Sequence, residues 1–144
     1  GLERFGDFCQ EIGIYSVLPG DKDKMKYLSN RGIATAAFIG YDTSDAAIEL
    51  ARASDKHIVF VSNANGRTQP REGLVTWAER IGYIRAHGVT APIFGVTGIK
   101  TPEELQQVRD AGADGAYIGS IMMQLWDNEP ELWKLLDAFQ AVAK

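Results

Sequence analysis

Two stretches of the chain end an apolar strand in glycine where a helix should begin, "GVTGIKTPE" at residues 95–103 and "GAYIGSIMM" at 115–123. In the first, Gly95 and Gly98 flank Val96 and Thr97; in the second, Gly119 and Ser120 open the helical run. Such small residues leave backbone N–H groups uncovered, and a helix N-terminus adds about half a positive charge and several unpaired donors. A phosphate monoester suits that environment. Glycine also ends strands because tight turns need positive φ, so either loop alone fits both readings. Two together, after consecutive last strands, favour an anion site.

The other chemically capable residues read as structural. Asp42 and Asp45 lie in "DTSD", which fits the capping of the helix that follows, with Ser44 or Asp45 as the cap. His57 precedes a strand, and His87 ends a helix near its negative pole, so neither is assigned to catalysis. Arg67 and Arg71, in the longest loop, are the most attractive charged pair for a phosphorylated ligand, and a solvated loop explains them equally well. Cys9 reads as a small buried hydrophobe. As the sole cysteine it excludes an internal disulfide and leaves too few thiolates for a structural zinc site. No catalytic residue, metal or cofactor is assigned.

The elements that must position these loops alternate along the chain. "LERFGDFCQEIG" places Leu2, Phe5, Phe8, Cys9 and Ile12 at helical spacing and stops at Gly13. "IYSVL" reads as a strand closed by Pro19 and Gly20, "KDKMKYLSNRG" as a helix, "IATAAFIG" as a strand and "SDAAIELARAS" as a helix. "HIVFVSN" is the third strand, followed by the polar loop "ANGRTQPREG" and the amphipathic helix "LVTWAERIGYIRAHG". "APIFGVTG" and "DGAYIG" are the fourth and fifth strands. Between them, Thr101 as cap, Pro102 at the first helical position and Glu104 three residues after the cap specify a helix start. Helical text, "SIMMQLW" and "EPELWKLLDAFQAVA", closes the chain. Trp77, Ile81 and Ile84 share a helix face, and they and the tryptophans Trp126 and Trp133 read first as packing against the sheet, while in a truncated barrel some of them lose their partners and are exposed.

About five βα units of this kind fit a parallel α/β sheet. A doubly wound open sheet satisfies the count, and so does part of a (β/α)8 TIM barrel, which normally needs about 250 residues. The expectation is the barrel: residues 1–144 as a single domain made of about its last five βα units, with the N-terminal strands missing. In either architecture the ligand lies at the C-terminal ends of the strands, among the loops singled out above.

Composition narrows the partner. With 144 residues and 45% hydrophobic content the chain can bury a core. Fifteen basic residues, scattered along the chain, stand against nineteen acidic ones, for a net charge of −4, which is not the footprint of a nucleic-acid binder. No apolar run reaches a membrane span and the first residues are not a signal peptide, so no membrane is expected and the reading is cytoplasmic.

"APIFGVTGIKTPEELQQVRDAGADGAYIGSIMMQLWDNEPELWKLLDAFQAVA", with "GLERFGDFCQEIGIYSVL" and "HIVFVSNANG" upstream, resembles the later part of the tryptophan synthase alpha subunit, a (β/α)8 barrel. The resemblance runs over nearly all of this chain and about the second half of the family's length. It implies a lyase that cleaves indole-3-glycerol phosphate to indole and glyceraldehyde 3-phosphate in tryptophan biosynthesis. It also implies a beta subunit as partner, which holds the pyridoxal phosphate. The substrate phosphate would rest on backbone groups at Gly98, Gly119 and Ser120, under a loop around Gly66 and Thr68. The family's two catalytic carboxylates lie on its first two strands, so no residue here inherits them. The family's "GFGI" reads "GVTGI", with Thr97 in place of an aromatic that would stack on indole; a tyrosine expected on the "HIVFVSN" strand aligns with Val59; and "VLPGDKDKMKYL" is shorter than the family's connection, with Asp21 the nearest stand-in for its aspartate. These departures leave open a related barrel enzyme acting on another phosphorylated metabolite, or a catalytically silent partner of a beta subunit.

Overall fold

The computed structural model describes residues 1–18, 22–53, 58–63 and 68–143. His57, Gly66, Arg67 and Asp21, among the residues weighed above, lie outside the described residues.

Helix α1 spans Leu2–Ile12 and ends at Gly13, whose φ of 76° is the left-handed conformation that glycine adopts without steric cost. Strand β1 (Ser16–Val17) leads to α2 (Lys22–Ser29). The run "IATAAFIG", expected as one strand, forms β2 (Ala34–Thr35) and β3 (Ala37–Ile39) with Ala36 between them. The split arises because the segment changes ladder partner: the Ala36 N–H donates to Val17 O on one side, and the Ala37 N–H to Ile58 O on the other. Such stagger is what a barrel's tilted strands require. Then follow α3 (Asp45–Ala53), β4 (Val59–Ser62), α4 (Trp77–Ala86), β5 (Ile93–Val96), α5 (Pro102–Asp110), β6 (Gly115–Ala116), α6 (Ser120–Gln124) and α7 (Glu129–Ala143).

All strand pairs are parallel and follow chain order, β1 beside β2 and then β3, β4, β5, β6. Sequential order with helical crossovers is the arrangement of a barrel wall. A doubly wound sheet would reverse direction at a switch point. The outer face carries the core: Ala37, Ile39, Val59, Val61 and Ile93 pack against Ile48, Ile81, Ile84 and Val108 from the helices. Full burial of one such isoleucine or valine contributes roughly 1.5–3 kcal/mol. The inner face presents Phe38, Phe60 and Phe94 in one directly paired row that ends at Gly115. A Cβ at Gly115 would stand 2.5 Å from the Phe94 ring, so this row closes only around a glycine.

Helix ends follow local chemistry. Thr101 and Glu104 form the expected reciprocal capping box at α5, with proline in its first turn. At α4 an equivalent box of Thr76 and Glu79 starts the helix at Trp77, three residues later than the apolar run "LV" at Leu74 and Val75 suggests. Trp77, Ile81 and Ile84 are buried as expected. Trp126 and Trp133 are not: they are 68% and 58% exposed, because no described element lies over that side of α6 and α7. Cys9 is buried and free, while its helix neighbours Phe5, Phe8 and Ile12 remain about half exposed. No helix among the described residues is long and apolar enough to cross a membrane.

Candidate functional site at the strand ends

A cavity of about 560 Å³ opens where the strands end. Its floor comes from the inner-face residues Phe38 and Phe60, with Leu18 after β1 and Val96 closing β5. Tyr117, two residues beyond Gly115 and thus on the same face, stands edge-on to Phe60 with ring centroids 5.8 Å apart. The rim is Thr97, Gly98 and Ile99 after β5 and Gly119 and Ser120 after β6. The structure therefore brings together four of the six residues singled out for the site, Thr97, Gly98, Gly119 and Ser120, across two neighbouring loops. Thr68 is not among the residues lining the cavity, and Gly66 lies outside the described residues.

Backbone geometry on the rim is unusual. Thr97 has φ 65° and Gly98 φ 79°. A β-branched residue rarely enters the left-handed region, and strain of this kind collects at ligand-binding loops. Gly119 is the cap residue of α6 and makes no side-chain cap bond. A Cβ added there would meet nothing within 4 Å. Its glycine keeps the approach to the helix start open rather than permitting a special φ, which is −127°. The Ser120 and Ile121 N–H groups, which start α6, have no acceptor among the described residues, as the first turn of a helix dictates.

No carboxylate or imidazole lines this cavity among the described residues. The walls are aromatic and aliphatic, and the polar groups are backbone amides and the hydroxyls of Thr97, Ser120 and Tyr117. Such a site can bind a ligand with one apolar and one anionic end. Among the described residues no cluster of His, Cys, Asp and Glu could hold a metal.

The remaining candidates are engaged elsewhere. Arg71 pairs with Asp45 at 2.6 Å and stacks on Tyr83. The Arg71 guanidinium holds the Asp45 carboxyl below the usual carboxylate range. Asp45 thus opens α3 as the partner of Arg71 and of the Tyr83 hydroxyl. His87 caps the end of α4, its Nδ1 2.8 Å from Tyr83 O.

Two features escaped sequence reading. The aligned position Val59 faces the helices and is fully buried, while its neighbour Phe60 turns to the cavity. The aromatic surface missing at Val59 is therefore supplied one residue later. The second feature is Arg80, buried to 0% exposure on the apolar stripe of α4. Its Nε donates to Thr43 Oγ1 at 2.9 Å, and its two terminal nitrogens donate to Ser62 O at 2.6 Å and Gly40 O at 2.8 Å. Burial pushes this guanidinium down to about 10, well above neutral pH, so it remains charged. Its spacing was the available signal, because Trp77, Arg80, Ile81 and Ile84 recur at i, i+3, i+4 and i+7.

No protein-family model matches the chain. The tryptophan synthase alpha chain of Francisella tularensis subsp. holarctica is 24% identical over 135 residues, covering 89% of this chain and 50% of that protein. The tryptophan synthase subunit alpha from Campylobacter jejuni superposes with a TM-score of 0.71 at 20% identity, over 96% of this chain and 59% of that one. A chain of the tryptophan synthase α2β2 complex from Pyrococcus furiosus gives 0.72 at 14% identity, over 98% and 60%. The chain spans about half the length of the curated relatives it matches. By strand order, stagger and these likenesses, it has the architecture of a partial (β/α)8 barrel, and it resembles the tryptophan synthase alpha chain in both sequence and fold.

Proposed function

We propose that the cavity at the strand ends holds a phosphate ester. The ester oxygens would be received by backbone amides at Gly98, Gly119 and Ser120, with Thr97 and Ser120 offering hydroxyls. The observation that carries this reading is the convergence of two glycine-bearing loops on one cavity, one with an unpaired helix start and the other with a left-handed Thr97–Gly98 pair. Anion recognition by backbone groups at helix starts is the physical basis.

The ring-bearing end of the ligand lies against Phe38, Phe60 and Tyr117. With the sequence likeness to tryptophan synthase alpha chains, this supports indole-3-glycerol phosphate as the ligand and its cleavage to indole and glyceraldehyde 3-phosphate as the reaction. In that role the chain is the later, phosphate-holding portion of the barrel, and the acid that protonates the indole ring and the base that takes the glycerol hydroxyl proton come from outside these 144 residues. A tryptophan synthase beta subunit is the partner in this reading, supported by likeness to a chain of an α2β2 complex.

Thr97, where the family has an aromatic, favours one second reading: a related barrel acting on a different phosphate ester. Calorimetric titration separates them. The first reading expects indole-3-glycerol phosphate to bind at least tenfold tighter than glycerol 3-phosphate, roughly the contribution of one ring stacked on an aromatic wall. Equal affinities overturn the assignment of the indole end. Failure of both esters to bind overturns the phosphate site itself.

A further inference from the structure

Arg80 lies outside the cavity, yet every group it holds leads to a strand end. Gly40 directly follows β3, and Thr43 belongs to the loop after it. Thr43 is fully buried with φ 47°, a strained conformation for a β-branched residue that must be held by its surroundings. Its hydroxyl is fixed on both sides, accepting from Arg80 Nε and donating to Tyr41 O. Ser62 is the last residue of β4. The next residue, Asn63, donates its N–H to Val96 O at 3.1 Å. Its side chain lies where a Cβ on Gly98 would find it at 3.5 Å. Val96 and Gly98 both line the cavity.

A guanidinium that merely filled the core would be expected to carry a carboxylate partner, since an unpaired buried charge is costly. Arg80 has none within ion-pair distance among the described residues, and the Asp42 carboxylate on the β3 loop acts on it only through space. Its bonds go instead to a carbonyl and a hydroxyl on the loop after β3 and to the carbonyl of the last residue of β4, with the Tyr41 and Trp77 rings 5.0 and 5.6 Å away. A planar fork of fixed geometry is suited to setting the distance between two backbone segments, and a lysine cannot reproduce it.

We propose that Arg80 is a positioning residue for the binding cavity: it fixes the end of β4 against the β3 loop and, through Asn63, sets the placement of Gly98 on the rim. This rests on the reading of the cavity as a phosphate-ester site. The test uses Arg80→Lys and the gentler Thr43→Val, which removes one acceptor and keeps both carbonyl bonds. Backbone amide resonances are followed in the ligand-free protein, and glycerol 3-phosphate is then titrated in. Both variants are expected to move the Asn63 and Gly98 amides while those of α7 stay in place, with Thr43→Val giving the smaller shifts. Arg80→Lys is expected to raise the Kd for the ester about tenfold, the scale of one lost charge-assisted hydrogen bond. If Arg80→Lys does not fold, Thr43→Val decides. Unmoved Asn63 and Gly98 amides in a folded variant overturn the proposal, as does an unchanged Kd beside moved amides. A wild-type protein that binds no ester overturns the phosphate reading instead, and the amide shifts then decide the placement of Asn63 and Gly98 alone.

Discussion

Along β3, β4 and β5, successive residues go to opposite sides of one sheet. On the outer side Ala37, Ile39, Val59, Val61 and Ile93 are at most 1% exposed beneath the helices. On the inner side Phe38 is 44% exposed, and beyond β6 Tyr117 is 65% exposed. A period of two allows one short strand to do both, with a packed core on one face and the lining of an open cavity on the other. The aromatic rings that could have filled a core instead line an open cavity, and the residues that hold the fold are small and β-branched.

Substitutions on the two faces should separate these roles. The largest effect is expected from Ile39→Ala, which empties a fully buried site and should lower unfolding free energy by about 2–5 kcal/mol in urea denaturation. Phe38→Ala, one residue away, should cost less than about 1.5 kcal/mol, because half of the ring is already in water, while weakening binding of an aromatic phosphate ester. Equal destabilisation by the two would erase the distinction between the faces.

Next in size is Gly119→Val. The added side chain meets no protein atom at its Cβ and projects toward the open helix start. Phosphate-ester affinity should fall at least tenfold, about 1.4 kcal/mol, with little change in thermal midpoint. Loss of stability with affinity intact would place Gly119 in the fold rather than the site. Gly98→Ala should cost about 1 kcal/mol of stability, since alanine is strained at φ 79°.

The smallest effect concerns Glu79. Hydrogen bonds from the Thr76 backbone, the Thr76 hydroxyl and the Val75 backbone hold its carboxyl below its ordinary value of 4.5. A depressed carboxylate stabilises the fold above its unfolded pKa, and that contribution is lost as pH falls through the lower folded value. The thermal midpoint of Glu79→Gln should therefore lie slightly below that of the wild type at pH 7, and the gap should close as pH drops below 4.5. A gap independent of pH would contradict the capping role.

Much of this was legible in the sequence because it is local. Gly13 ends its helix, Thr101, Pro102 and Glu104 start theirs, and the alternation of strand and helix implies parallel order. Thr97, Gly98, Gly119 and Ser120 come together at one cavity because the loops after parallel strands share one end of the sheet. The unread features depend on tertiary context. Whether Val59 or Phe60 faces the cavity depends on strand register, and a shift of one residue exchanges the faces. The bonds of Arg80 leave no mark near it in the chain, since its acceptors, Gly40 O, Thr43 Oγ1 and Ser62 O, are distant in sequence. Trp126 and Trp133 read as packing residues, and whether they are covered depends on elements beyond their own helices. Thr97 carries no local mark of its positive φ, because glycine or asparagine would ordinarily announce one.

In the proposed function, two loops at the strand ends grip one phosphate. Titrating inorganic phosphate and glycerol 3-phosphate into nitrogen-15-labelled protein, while following backbone amides, tests it most directly. The account predicts saturable shifts of the Gly98, Gly119 and Ser120 amides with a common Kd for each ligand, and their loss in Gly119→Val. Saturable binding that leaves these three amides unmoved, or shifts only residues away from the cavity, would contradict it.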